Sequence, residues 1–178
     1  MTQATEAWRQ STMEGFSMAV QASQVKTTVN APPAAVWKAL TNASSLKQFF
    51  FGSDIVTDWG IGSPIRFRGN WKGKPYEDKG TIQSFDVDGR LAFTHWSPLS
   101  KLEDKPENHH IVSFDLRPTN GSTEVVLTQI NQNDNEPLTP ENRQEYAKNW
   151  AMVLDGLKKT VEGTGRTEKT GASAEARG

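Results

Sequence analysis

Residues 31–50, APPAAVWKALTNASSLKQFF, decide the fold of this chain. Pro33 fits the first turn of a helix, where its missing N–H leaves no hydrogen bond unmade. The apolar residues that share one face of this first helix are Val36, Trp37 and Leu40. Thr41 and Asn42 can cap a second short helix, which Gly52 is expected to end. The stretch therefore predicts two short helices in direct succession.

The segments on either side of this stretch alternate between apolar and polar residues, which is typical of β-strands. Residues 20–29 predict one strand before the helices. From residue 53 to residue 131 the alternation continues, and Asp88-Gly89 and Asn120-Gly121 are two-residue hairpin signals. One longer polar loop, residues 98–107, interrupts the pattern. We therefore expect about six antiparallel strands after the helices.

Residues 139–162 carry the clearest helical pattern in the chain. Thr139 can act as the N-cap, Pro140 occupies the first helical position, and Gly163 is placed to end the helix. The apolar residues recur every three or four positions and are Tyr146, Trp150, Val153, Leu154, Leu157 and Val161. A helix of about six turns with such a stripe needs a broad apolar surface, and the predicted sheet is the candidate partner.

The order of these elements resembles the helix-grip fold of the START-like superfamily, also called SRPBCC or birch-pollen-allergen-like. Residues 31–50 resemble the motif of the activator-of-heat-shock-protein-90-ATPase homologues. The matching positions are Pro33, Val36, Trp37, Leu40, Thr41 and Leu46. The family's usual Trp at the end of the second helix is replaced by Phe49-Phe50-Phe51. The resemblance implies an α+β fold, in which a curved antiparallel sheet of about six to seven strands wraps around the long C-terminal helix.

Composition and charge exclude several kinds of function. The chain has 178 residues, 20 Lys and Arg against 21 Asp and Glu, and no Cys. Without Cys there is no disulfide framework, no thiolate nucleophile and no Cys-containing zinc site. A net charge of -1 provides no general basic field for nucleic acid. No apolar run approaches the roughly 20 residues that cross a bilayer, and no signal peptide is recognisable. We therefore expect a cytoplasmic protein with no nucleic-acid and no membrane partner.

One domain is expected between two ends of different character. Residues 1–17 are rich in Thr, Gln, Glu and Ala and predict a flexible or peripheral extension. Residues 18–162 form the START-like helix-grip domain that the resemblance implies. Residues 163–178 contain no large apolar residue, so no burial offsets the entropy of ordering them. They predict a disordered tail.

The resemblance implies that a cavity can remain between the sheet and the long helix. Its walls would be apolar, with a few polar groups that orient a ligand. The candidate ligand-binding residues are Phe50, Phe67, Phe85, Phe93, His95, Phe114, Tyr146, Trp150 and Leu154. The alternative is that these side chains fill the interior at the density of a packed core. A helix cannot bury all of Phe49-Phe50-Phe51, so at least one of the three is expected near the surface or a portal.

The histidines do not form a recognisable metal site. His109 and His110 are consecutive on a predicted strand, so their side chains point to opposite faces. His95, near the end of its strand, is the best candidate for a polar group in the cavity. Gly60-x-Gly62 lacks the third glycine of a dinucleotide-binding fingerprint, and the chain has no Gly-x-Ser-x-Gly elbow. We therefore predict no metal, no cofactor and no assigned catalytic residue.

Three functions are compatible with these features. The first is non-catalytic binding of a small hydrophobic ligand in the cavity. The second, implied by the resemblance, is a co-chaperone-like module of the stress response that acts on a heat-shock-protein-90-type ATPase. The third is an enzyme of the cyclase or hydrolase type that uses His95 or Tyr146 as a cavity acid or base. We predict the first, with the chaperone ATPase as the alternative partner and with either a monomer or a homodimer.

Overall fold

One continuous antiparallel sheet carries the elements that surround the candidate site. The structure is a computed structural model that describes residues 22–132 and 138–175, and the side chains as far as residue 163. Within these residues the sheet has seven strands in the order β1-β7-β6-β5-β4-β3-β2. The strands are β1 (Ala22–Val29), β2 (Asp54–Val56), β3 (Pro64–Trp71), β4 (Lys74–Asp86), β5 (Arg90–His95), β6 (His110–Thr119) and β7 (Ser122–Ile130).

Two short helices follow β1, and one long helix follows β7. The helices are α1 (Pro33–Leu40), α2 (Ala43–Phe49) and α3 (Pro140–Glu175), with single 3₁₀ turns at Pro98–Ser100 and Pro106–Asn108. The Asn42 side chain accepts a hydrogen bond of 3.0 Å from the Ser45 N–H and caps α2, as predicted. Thr139 accepts from the N–H of Asn142 at 3.2 Å in the same way. The predicted α+β helix-grip fold is confirmed.

The end of α2 differs from the prediction, which placed it at Gly52. The helix ends at Phe49, and Phe51 and Gly52 then both adopt left-handed φ values, of 54° and 70°. Only glycine takes this conformation without strain, so Phe51 is held there by its surroundings. The turn directs the chain from α2 into β2.

The long helix also extends beyond its predicted end. The backbone of α3 passes through Gly163 and continues to Glu175. Gly163 does not have the left-handed φ of a glycine that ends a helix, so the helical hydrogen bonding continues past it. The predicted extension at residues 1–17 lies outside the described residues. The disorder of residues 163–178 stays a prediction.

The apolar stripe of α3 packs along β1 and against both short helices. The stripe residues buried in this interface are Val153, Leu154, Leu157 and Val161. Each such side chain contributes about 1.5–3 kcal/mol when it is fully buried. This packing holds the first turns of α3, with Tyr146 and Trp150, over one end of the sheet.

Gly156 allows α2 and α3 to approach closely. A Cβ at Gly156 would lie 2.6 Å from the Cβ of Phe49 and 3.2 Å from its Cα. We expect Gly156→Ala to lower the free energy of unfolding by about 1–2 kcal/mol, because overpacking outweighs the gain in helix propensity. Gly163→Ala is the matched control, since no atom lies within 4 Å of its Cβ, and it should stabilise by up to about 1 kcal/mol. Urea unfolding measures both, and stabilisation by Gly156→Ala would contradict the close approach.

Candidate ligand-binding site

A cavity of about 410 Å³ lies between the sheet and the first turns of α3. Small-molecule sites usually have volumes of about 300–1,000 Å³. The apolar side chains that line it are Phe50, Phe51, Phe67, Trp96, Leu102 and Trp150. The polar ones are Ser53, Tyr76, Asp78, His95, Ser97, Ser100, Asn108, His110, Gln129, Tyr146 and Asn149. The cavity is therefore mixed in character rather than purely apolar.

Three aromatic rings form its apolar wall. Phe50 and Phe67 are stacked with their centroids 5.3 Å apart, and the Trp150 ring lies 5.9 Å from Phe50. Phe67 also contacts the His95 ring edge-on, with a centroid distance of 5.3 Å. Such contacts between rings stabilise their arrangement in addition to the hydrophobic effect of burying them. The wall thus offers fixed apolar faces from the turn after α2, from β3 and from α3.

Asp78 and His95 form a hydrogen-bonded pair on the neighbouring strands β4 and β5. Asp78 Oδ2 and His95 Nε2 are 3.0 Å apart, and the two side chains are 13% and 22% exposed. A carboxylate only accepts, so His95 Nε2 carries the hydrogen. Asp78 Oδ1 is buried and has no hydrogen-bond partner among the described residues. A buried acceptor without a partner is unfavourable.

Gln129 joins the other side of the cavity to α3. It is only 2% exposed, on the inward face of β7. Its Oε1 accepts from the indole N–H of Trp150 at 2.8 Å. Its Nε2 donates to Asn131 Oδ1 at 3.0 Å and to His110 Nδ1 at 3.2 Å. Because an indole can only donate, the orientation of the Gln129 amide is determined by its partners.

His110 is a neutral imidazole in the cavity wall. Burial lowers its pKa from 6.5 to about 4, and the charges of His95 and His109 act in the same direction. Because Nδ1 accepts from Gln129, the ring hydrogen is on Nε2. The ring also contacts Tyr146 edge-on, with centroids 5.8 Å apart. His110 therefore adds an N–H donor to the polar groups of the cavity.

The aromatic triplet after α2 divides between the core and the cavity. Phe49 and Phe50 are each 5% exposed, whereas Phe51 is 54% exposed and lines the cavity. This confirms the prediction that one of the three lies at the surface. Phe51 also has the left-handed φ described above, and strained residues of this kind are frequent at ligand sites.

Charged and aromatic contacts fix the loop between β5 and β6. Asp104 pairs with Lys79 and accepts from His109 Nε2 at 2.7 Å, and the hydrogen bonds from Lys79 and then His109 lower the pKa of Asp104. Trp96 stacks on His109, with centroids 6.3 Å apart, and the Lys79 ammonium lies over the Trp96 ring. His109 thus stabilises the loop while the adjacent His110 lines the cavity.

Five of the nine predicted ligand-binding residues line the cavity, namely Phe50, Phe67, His95, Tyr146 and Trp150. The other four lie elsewhere in the core. Phe93 and Phe114 border a void of about 10 Å³, no larger than one water molecule. Phe85 packs edge-on against Trp37 at 5.0 Å, and Leu154 is buried in the α3 interface. Leu40 of α1 and Leu46 of α2 border the same void, so the short helices fill the space at this end of the sheet. Ligand binding by the five stays a prediction.

Three lining residues were not predicted from the sequence, namely Asp78, Gln129 and Tyr76, although a signal for Gln129 was present. On β7 the buried residues Val125 and Leu127 are followed, two positions on, by Gln129. A polar residue that continues an inward apolar series predicts a polar group inside the domain. His95 follows Phe93 in the same way on β5. Which of these polar residues meet depends on the strand register.

Among the residues that the structure describes, no group of three His, Asp or Glu side chains is placed to hold a metal ion. No described helix combines the length and the apolar character needed to cross a membrane.

The fold and the position of the cavity define a START-like protein with the helix-grip architecture. A family model described as Activator of Hsp90 ATPase homolog 1-like protein matches residues 30–162. The chain therefore belongs to this family. A search of curated proteins found no match.

Solved structures show the same architecture. The solution structure of ChR145 from Cytophaga hutchinsonii is 43% identical, covers 80% of this chain and 94% of its own, and has a TM-score of 0.68. The Aha1 dimer from Colwellia psychrerythraea is 20% identical over 79% of this chain and 96% of its own, with a TM-score of 0.58. Ara h 8.0201 is 14% identical over 80% and 97%, with a TM-score of 0.63. The last two similarities concern the fold alone.

Proposed function

We propose that the protein binds a small hydrophobic ligand, without catalysis, in the cavity between the sheet and α3. The observation that carries this proposal is the cavity of about 410 Å³ with an aromatic wall that faces polar side chains. Pockets that bind small molecules combine these features, because apolar faces supply affinity and the polar groups fix orientation. The family and the fold are consistent with ligand binding.

Titration with the neutral dye N-phenyl-1-naphthylamine, whose fluorescence rises in apolar surroundings, tests this function. We expect saturable binding at one site. Asn149 is exposed on α3 and lines the cavity, so Asn149→Trp should obstruct it and weaken dye binding at least about tenfold. Ala151→Trp is the matched control, because Ala151 is exposed on the same helix but does not line the cavity, and the affinity should be unchanged. Lack of saturable binding, or an equal loss in both variants, would contradict the proposal.

A second proposed function is interaction with a chaperone ATPase. The observations that favour it are the description of the family and the similarity to a protein named as an Aha1 dimer. Stimulated ATP turnover of a heat-shock-protein-90-type chaperone would support this function. Unchanged turnover at saturating concentrations of the protein would remove it.

A further inference from the structure

A row of polar side chains crosses four adjacent strands at the cavity. Asp78 on β4 is bonded to His95 on β5, and His110 on β6 is bonded to Gln129 on β7. His95 and His110 are directly opposite each other in the register of β5 and β6. No hydrogen bond joins these two histidines among the described contacts, so the row is interrupted between them. Both side chains line the cavity.

The hydrogen bonds on the Gln129 side determine what His110 can offer. The indole of Trp150 donates to Gln129 Oε1, so Gln129 Nε2 must donate to His110 Nδ1. The remaining ring nitrogen, Nε2, therefore carries the hydrogen and has no partner among the described residues. His110 presents a neutral donor to the cavity.

The hydrogen bonds on the Asp78 side determine that His95 offers an acceptor to the cavity, whereas His110 offers a donor. His95 donates through Nε2 to the Asp78 carboxylate, so in the neutral form of the ring Nδ1 is an acceptor. The Asp78 carboxylate adds a negative charge next to this ring. An anionic ligand group would be repelled here, because like charges in a partly buried site interact strongly.

We propose that the cavity selects neutral ligands that carry a hydroxyl group on an apolar body, with the hydroxyl bound between His95 and His110. A hydroxyl accepts one hydrogen bond and donates another, so it can complete the interrupted row by accepting from His110 and donating to His95. The apolar body lies against Phe50, Phe67 and Trp150, which form the aromatic wall. This inference rests on the proposed function and adds the chemical class of the ligand.

Three probes with the same naphthalene ring test the inference at pH 7: naphthalene, 2-naphthol and 2-naphthoate, each measured by displacement of N-phenyl-1-naphthylamine. We expect 2-naphthol to bind at least about tenfold more tightly than either of the others, because it alone is neutral and able to both donate and accept. Equal affinities for naphthalene and 2-naphthol would overturn the inference and leave the proposed function intact. Tightest binding of 2-naphthoate would also overturn it. Lack of binding by the dye and all three probes would contradict the proposed function itself.

Asp78→Asn provides a second test, because it removes the negative charge and keeps the shape of the side chain. We expect the preference for 2-naphthol over 2-naphthoate to fall about tenfold. Asp104→Asn is the matched control, since Asp104 bonds to the other histidine, His109, and does not line the cavity. An unchanged preference in Asp78→Asn would overturn the role of the carboxylate. Where Asp78→Asn fails to fold, the ranking of the probes on the unmodified protein decides.

Discussion

Replacing Gly80 with alanine is expected to lower the free energy of unfolding by about 3 kcal/mol or more. A Cβ at Gly80 would overlap the carbonyl oxygen of Thr94 and lie 2.6 Å from its carbonyl carbon. Both atoms belong to the backbone of β5, so β4 and β5 must separate to admit the methyl group. The adjacent hydrogen bonds, at 2.8 and 2.9 Å between Lys79 and Trp96 and at 2.9 Å from the Thr81 N–H to the Thr94 hydroxyl, would be strained or lost.

Urea unfolding measures this loss, and Gly89→Ala is the matched control. Gly89 is also a glycine beside β5, but the nearest atom to its Cβ would be 3.6 Å away and its φ is not left-handed. We expect Gly89→Ala to remain within about 1 kcal/mol of the unmodified protein. Similar stability of the two variants would show that β4 does not approach β5 as closely as described. Separation of β4 and β5 would also disturb the candidate site, because Asp78 and His95 form their hydrogen bond across these two strands.

Acidification from pH 7 to pH 4 is expected to remove about 3 kcal/mol of stability through His110 alone. The pKa of His110 is about 4 in the folded protein, against an ordinary value of 6.5. Below pH 6.5 the unfolded chain therefore binds a proton that the folded protein excludes until about pH 4. Above pH 6.5 this group does not affect the free energy of unfolding. As the pH falls from 6.5 to about 4 the free energy of unfolding decreases, and below about pH 4 the contribution of this group is constant.

His110→Asn isolates this contribution, because an amide oxygen can still accept from Gln129 but does not titrate. We expect the variant to be less stable than the unmodified protein at pH 7, and the difference between the two to shrink as the pH falls to 4. His109→Asn, the control, replaces the neighbouring histidine that bonds to Asp104 and should keep the pH dependence that His110 causes. Urea unfolding at a series of pH values measures both. A difference that stays constant with pH would contradict the burial of a neutral His110.

Most of the fold could be predicted from the sequence because its signals are local. Asn42 and Thr139 each accept a hydrogen bond from a backbone N–H three residues later, which requires no distant contact. The hairpin turns at Asp88 and Asn120 depend in the same way on left-handed φ values at those residues. The end of α3 could not be predicted, because Gly163 favours termination without enforcing it.

The candidate site could be predicted only in part. Phe50, Phe67 and Trp150 could be identified because apolar periodicity shows which face of an element is inward. Periodicity does not show which end of that face is covered by helices. Phe93 and Phe114 have the same inward orientation and were therefore also predicted to bind the ligand, but they lie at the packed end. The distinction depends on where the short helices and α3 contact the sheet.

The order of strands and helices follows from the sequence alone, as do the caps, the turns and the inward faces, since these depend on residues a few positions apart. The tertiary packing is what leaves a cavity at one end of the sheet. It also brings together Asp78, His95, His110 and Gln129 there, from positions up to about fifty residues apart in the chain. Their proximity results from the register of four strands, and a shift of one residue would turn each of these side chains to the opposite face.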